Sequence, residues 1–254
     1  MPMGLNFGLG LGSGQQISNE WTPALLPNIN TWFDAHLLSS MTIDGSNRVS
    51  AWVDRIGGIK TYSGGDGTLT LAPTYDAAKQ AVIFPTGKLM AREHSFPDGA
   101  ITLVFIVKLT GTDTPLNQYL MSHNTDMIRF YFLATPTPAV NLRSSTATLS
   151  NSFSYAVMGA TQRLIYFTHT TTGNSLIYGY KCDGTVESPT DVNKSGNSGT
   201  TAFGAYKLVL GANTLTGGSG LQGELKATIS ILGSPLKADM DILYAWAKEY
   251  YGVQ

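Results

Sequence analysis

Turn signals cut this chain at intervals that leave little room for helices. Asp44-Gly45, Gly57-Gly58, Asp66-Gly67, Asp98-Gly99, Asp183-Gly184 and Gly217-Gly218 separate short runs rich in Val, Ile, Thr, Tyr and Phe. Runs of that length and composition suit pleated strands, and the glycines supply the backbone freedom that tight turns need. The pattern predicts strands over 30–36, 48–54, 81–84, 88–91, 101–109, 118–122, 127–133, 139–143, 163–170, 175–182, 206–211 and 223–232. Ile101-Thr102-Leu103-Val104-Phe105-Ile106-Val107 is almost continuously apolar, as expected of a strand covered on both faces. Many short strands at this spacing specify an all-β sandwich or barrel. The polar, glycine-rich stretch 188–204 reads as a surface loop. A single helix is expected over 238–251, with Ile242, Leu243, Trp246 and Tyr250 on one side. Asp239 and Asp241 favour its N-terminal dipole, Lys248 its C-terminal end, Gly252 is placed as its cap, and Pro235 stands at its entrance.

Composition narrows the function classes. Hydrophobic residues are 43% of 254, enough for a substantial core, but charged residues are only 13% and the net charge is −1. Such a surface carries no long-range field for nucleic acid or an anionic membrane. Its Ser, Thr, Asn, Gln and Gly suit packing against other subunits or sugar hydroxyls. The lone Cys182 excludes an intrachain disulfide, so stability is expected to come from the core.

The first fourteen residues have a different pattern. Leu5, Phe7, Leu9 and Leu11 alternate with glycine and other small or polar residues, the period of an extended strand with one apolar face. Glycine is costly to order and adds nothing to a core of its own. Residues 1–19 are therefore expected to form an anchoring arm and linker, ordered against another chain, ahead of a domain spanning 20–254. Fourteen extended residues reach about 45 Å, enough to cross onto a neighbouring subunit. The first charged residue is Glu20 and the first basic one Arg48, so the segment lacks the basic region of a secretory signal. It is too short for a membrane span, and its glycines miss the register of a phosphate-binding loop.

Residues able to carry chemistry are sparse. His36, His94, His123 and His169 have no partner at metal-ligand spacing, and no G-x-S-x-G elbow occurs. Five glutamates offer no jelly-roll glucanase pattern. Asp34 and Asp54 read as turn caps; a calcium role for Asp54 has no clustered carboxylates behind it, and no cofactor is expected. Trp32 and Trp52 read as core residues. Binding is the better class. Three loop regions combine rings with amide or carboxylate groups: Tyr62 with Asp66; His94, Phe96 and Asp98; and His123, Asn124 and Asp126. A ring gives an apolar platform and its polar neighbours take hydroxyls, although polar turns are also what solvated loops ordinarily look like.

Both ends of the domain carry a resemblance. Trp32-Phe33-Asp34-Ala35, then Val49-Ser50-Ala51-Trp52-Val53-Asp54-Arg55-Ile56-Gly57, Pro73-Thr74-Tyr75 and Ala81-Val82-Ile83-Phe84 are similar to the opening of concanavalin A-like, laminin-G-like jelly rolls. The series from Gly223 to Ile231 and Ala247-Lys248-Glu249-Tyr250-Tyr251-Gly252 resemble that family's closing strand and helix. The likeness spans roughly 29–252. It departs at Ala227, where an acidic residue is common, and at Lys237, where a Ser helix cap is common. It implies a jelly-roll sandwich of two antiparallel sheets with one C-terminal helix. Family members occur in tailed-phage virions and on bacterial surfaces, and the glycine-leucine start is similar to those of phage structural proteins. The implied function is a non-enzymatic virion protein assembled in the bacterial cytoplasm, tail- or baseplate-associated, anchored by its arm to other virion proteins and copies of itself, and contacting host surface glycan. No nucleic acid or membrane insertion is implied. A capsid decoration or head-fibre protein and a polysaccharide-active enzyme remain as alternatives.

Overall fold

A computed structural model describes residues 21–95, 99–110, 118–123, 128–132, 139–144, 148–152, 162–171, 175–179, 193–196, 205–212, 214–216 and 220–253. Among them run β1 (Ile29–Asp34), β2 (Met41–Ile43), β3 (Val49–Val53), β4 (Lys60–Ser63), β5 (Thr74–Asp76), β6 (Ala81–Phe84), β7 (Met90–Ser95), β8 (Ile101–Leu109), β9 (Gln118–His123), β10 (Ile128–Phe132), β11 (Ala139–Ser144), β12 (Thr148–Ser152), β13 (Arg163–His169), β14 (Ser175–Gly179), β15 (Asn193–Gly196), β16 (Ala205–Leu210) and β17 (Gly223–Leu232), followed by helix α1 (Lys237–Tyr251). The strands form two antiparallel sheets. One has the order β15-β14-β13-β8-β17-β6-β5, with β1 also on β17; the other is β12-β11-β10-β9-β16-β7-β4-β3-β2. Strands β1 and β6 share one side of β17, β6 against Gly223–Leu225 and β1 beyond it. The class is the all-β sandwich that the turn spacing allowed, of the jelly-roll type that the resemblance implied.

Two hydrophobic layers explain the unbroken apolar run of β8. Leu103, Phe105 and Val107 face the space between the sheets, with Phe33, Trp52, Phe84, Met90, Phe130 and Phe167. Phe130 from the nine-stranded sheet stacks 5.8 Å from Phe105 and 4.7 Å from Phe167 of the other sheet, tying the halves together. Val104 and Ile106, the alternate positions, face outward with Trp32, Leu164, Tyr166 and Ile229, and α1 covers them with Met240, Leu243, Tyr244, Trp246 and Tyr251. A strand covered on both faces has no need of polar residues.

Several sequence expectations need correction. Ile242 and Tyr250 do not lie on the buried side of α1; they are exposed, and the apolar stripe runs instead through Met240, Leu243, Tyr244, Ala247 and Tyr251 beside Trp246. A helix window with aromatics on two sides allows more than one stripe, and the facing sheet chooses between them. The 188–204 stretch is not loop throughout, because Asn193–Gly196 forms the edge strand β15 on β14. Besides β15, four strands were not predicted: β2, β4, β5 and β12, each three to five residues long. Strand 175–182 is described only to Gly179, so Cys182 lies outside the described residues. Helix α1 has Leu236 at its N-cap, which offers no side-chain cap, so Lys237 is its first helical residue and not its cap, and it ends at Gly252 in the left-handed conformation expected of its C-cap.

Candidate functional site

The motif residues around Asp34 make the densest polar cluster. Asp34 is fully buried at the end of β1. Its Oδ1 accepts the His36 backbone N–H at 3.0 Å and the Tyr251 hydroxyl at 3.0 Å. Its Oδ2 accepts Arg55 Nη1 at 2.6 Å and the Tyr250 hydroxyl at 3.2 Å. Trp32 Nε1 donates to the Tyr251 hydroxyl at 3.1 Å, and the Arg55 guanidinium lies 3.9 Å over the Trp32 ring. Burial and the neighbouring carboxylate push the Tyr251 phenol well above its ordinary range. Burial pulls the His36 imidazole down, opposed by Asp34 and reinforced by Lys226. Four donors fill the acceptor positions of the carboxylate. Asp34 is thus a clasp between β1, the turn after β3 and the end of α1, with no lone pair left to take a substrate proton. Asp54 is a turn cap as expected, accepting the N–H groups of Ile56, Gly57 and Ile59. Trp32 and Trp52 are both buried, Trp32 under the helix and Trp52 between the sheets.

The other outer face is built differently. The register of the nine-stranded sheet sets one residue from each strand in a single row: Thr42, Ala51, Tyr62, Ala91, Val209, Ser122, Arg129, Arg143 and Thr148. Trp52, Met90 and Phe130, the alternate positions, fill the inter-sheet core, so the row belongs to the outer side. Its middle is roofed: Ala91 and Val209 lie beneath Leu71 and Leu215 with Ala212, and Ser122 Oγ donates to the Ala212 carbonyl at 2.9 Å. The two flanks differ. On one, Tyr62 is 39% exposed. On the other, half-buried Arg129 packs beside Tyr119, its guanidinium carbon 5.8 Å from the ring centroid and Nη1 3.4 Å from the hydroxyl. Tyr119 in turn stacks on Tyr131 at 4.9 Å. At about 4.8 Å per strand, the four steps from Tyr62 to Arg129 span about 19 Å, so they define separate subsites.

The candidates singled out in the sequence are not gathered into one place. Tyr62 is on the row. Asp66 follows in the next turn, where its Oδ1 accepts the Thr68 N–H at 2.8 Å. His94 and His123 sit on β7 and β9, on either side of β16, opposite Tyr206 and Leu208. Phe96, Asp98, Asn124 and Asp126 lie outside the described residues, as do Leu5, Phe7, Leu9 and Leu11. Sequence reasoning missed Arg129, Tyr119 and Tyr131. Its available signal was the alternation Ile128-Arg129-Phe130-Tyr131-Phe132, apolar on one side and hydrogen-bonding on the other. Among the described residues no three His, Cys, Asp or Glu side chains come together as a metal site.

No family model matches the sequence, and no curated protein does. Solved structures share the fold. The ligand-binding domain of botulinum neurotoxin serotype D, solved with N-acetylneuraminic acid, superposes with a TM-score of 0.55 at 9% identity over 86% of this chain and 51% of that one. Another structure of the serotype D binding domain gives 0.58 at 10% identity over 86% and 52%. The Trypanosoma rangeli sialidase gives 0.57 at 9% identity over 89% and 34%. This chain thus spans about half the length of the toxin domains and a third of the sialidase. Identity this low carries the lectin-like sandwich fold and nothing finer.

Proposed function

We propose that this chain is a non-enzymatic carbohydrate-binding sandwich of a tailed-phage particle, tail- or baseplate-associated, that meets host surface glycan with the outer face of its nine-stranded sheet. The carrying observation is the asymmetry of the two outer faces. Helix α1 seals one with apolar contacts; the other presents an exposed tyrosine on one flank and a tyrosine-backed guanidinium on the other. Rings flanked by directional donors are what sugar recognition uses. That a toxin domain of the same fold was solved with N-acetylneuraminic acid supports the reading. A hydrolase needs a carboxylate pair with free oxygens. The three buried carboxylates among the described residues work as structural anchors instead: Asp34 is saturated, Asp54 caps its turn, and Glu224 is held by Lys79 at 2.8 Å. The phage assignment rests on the motif resemblance at both ends of the domain and on the alternating arm.

A glycan array probed with the full chain tests the binding. Retention of a defined glycan set, weakened tenfold or more by Tyr62→Ala or Arg129→Gln, is expected; an empty array contradicts it. Deleting residues 1–14 tests the anchor. The truncated chain should bind the same glycans yet fail to enter particles, and unimpaired incorporation would remove the arm from the account.

A further inference from the structure

The large apolar side chains left exposed among the described residues gather on one side of the molecule. Apart from Tyr62, all of them stand on or around α1. Ile242 and Tyr250 are on the helix, and Leu236 is at its N-cap. Leu37 and Leu38 follow His36, whose ring lies 4.9 Å from that of Tyr250. Ile56 follows Arg55, which shares Asp34 Oδ2 with the Tyr250 hydroxyl. Leu25 adjoins Leu26, part of the layer under the helix. Ile242, Trp246 and Tyr250 recur every fourth residue and so form one row along α1. Grouped exposed apolar side chains mark a contact surface.

The described chain enters the domain at this same row. Trp21, half-buried, packs on Trp246 with ring centroids 5.9 Å apart, and Trp246 stacks on Tyr250 at 4.6 Å. The sequence ahead of Trp21 carries the alternating Leu5, Phe7, Leu9 and Leu11 and no charge before Glu20. Fully extended, Leu5 to Leu11 covers about 20 Å, and α1 from Leu236 to Tyr250 offers about 21 Å. A chain's own arm would start at the middle of the row and have to double back to line it, whereas an arm arriving from a neighbour runs straight along it. The stretch from Leu11 to Trp21 can reach about 33 Å, enough to cross between chains. Resting on the reading of residues 1–19 as an anchor, we infer that the outer face of α1 is the seat for the arm of a second copy of this chain: Leu5, Phe7, Leu9 and Leu11 of one copy pack along Ile242, Trp246 and Tyr250 of the next. Arm and seat are different surfaces, so the contact passes from copy to copy and closes as a reciprocal pair or a ring.

The test is light scattering of the full chain over a range of concentrations, joined to cross-linking of mixed chains. The full chain should self-associate, and the chain lacking residues 1–14 should be a monomer. Ile242→Asp on the seat and Leu9→Asp on the arm should each weaken association tenfold or more. In a Cys182→Ser background, a Leu9→Cys chain mixed with an Ile242→Cys chain should form a disulfide between the two, and this carries the test if Ile242→Asp fails to fold. A full chain that stays monomeric would overturn the inference. Association that survives the deletion, or that is indifferent to Ile242→Asp and gives no cross-link, would overturn it by putting the contact elsewhere. A Leu9→Cys/Ile242→Cys chain that closes only on itself would overturn it by returning the arm to its own domain. If any of these occurs while the truncated chain is still excluded from particles, the anchor reading stands and its seat is on another virion protein; entry of the truncated chain into particles would remove both.

Discussion

Asp34 shows how much one side chain can hold. Its four donors come from His36 next door and from Arg55, Tyr250 and Tyr251, which are 21, 216 and 217 positions away. Asp34→Asn keeps the shape but leaves Arg55 facing a neutral amide. Because Arg55 is 30% exposed, the loss is discounted from the fully buried case to about 2–3 kcal/mol, measurable by urea unfolding. The same cluster sets a pH dependence. The His36 imidazole is pulled below its ordinary 6.5, so the unfolded chain takes up the proton first. Stability is then full above pH 6.5 and declines as pH falls through the lowered value. His36→Asn should flatten that acid limb in a series of urea midpoints. Tyr251 works in the opposite direction: its raised value makes stability full below pH 10 and lost as pH climbs past it. Gly211 is a third sensitive position. Its φ of 83° is left-handed, and a Cβ there would collide with the Phe84 ring. Gly211→Ala should cost about 2–4 kcal/mol through combined strain and overpacking, read from the thermal midpoint. At this scale the sequence revealed what is local. The turn caps Asp34 and Asp54 were legible because their partners lie within five positions. The clasp was not, because no spacing pattern links residue 34 to residue 251.

At the scale of elements, legibility followed composition. Strands β6, β8 and β17 have the bounds read from the sequence: β6 and β8 are nearly continuous apolar runs, and β17 alternates into Thr228-Ile229-Ser230-Ile231 between turn signals. Strand β12, Thr148–Ser152, carries a single large apolar residue, Leu149, and exists because β11 pairs with it. Propensity cannot find a strand whose stability is supplied by its neighbour. Helix α1 was visible from its length and caps, yet its buried stripe was assigned one step off at Ile242 and Tyr250. The helix is held by the aromatic contacts of Trp246 with Trp32 at 5.5 Å and Tyr251 at 5.3 Å. Trp246→Ala should therefore cost about 3–5 kcal/mol, whereas Ile242→Ala, 44% exposed, should stay within about 0.5 kcal/mol. Guanidinium unfolding of the pair checks this; equal losses would mean that the stripe is misplaced.

For the molecule as a whole, the helix makes the sandwich one-sided. A face sealed by α1 cannot receive a ligand without unpacking a hydrophobic layer, which is why the proposed glycan site lies on the nine-stranded sheet. The sequence made that class of fold legible through its turns and its doubly covered central strand. Of the two flanks of the open sheet it made only Tyr62 legible, because Arg129 and its backing Tyr119 come from neighbouring strands and are brought together only by register. The most direct measurement is hydrogen–deuterium exchange of the full chain with and without a glycan that it binds. Binding through the open sheet predicts added protection around Tyr62 or across 128–132 and 139–152, with α1 unchanged. Protection confined to 237–251 or the Asp34 clasp would contradict it.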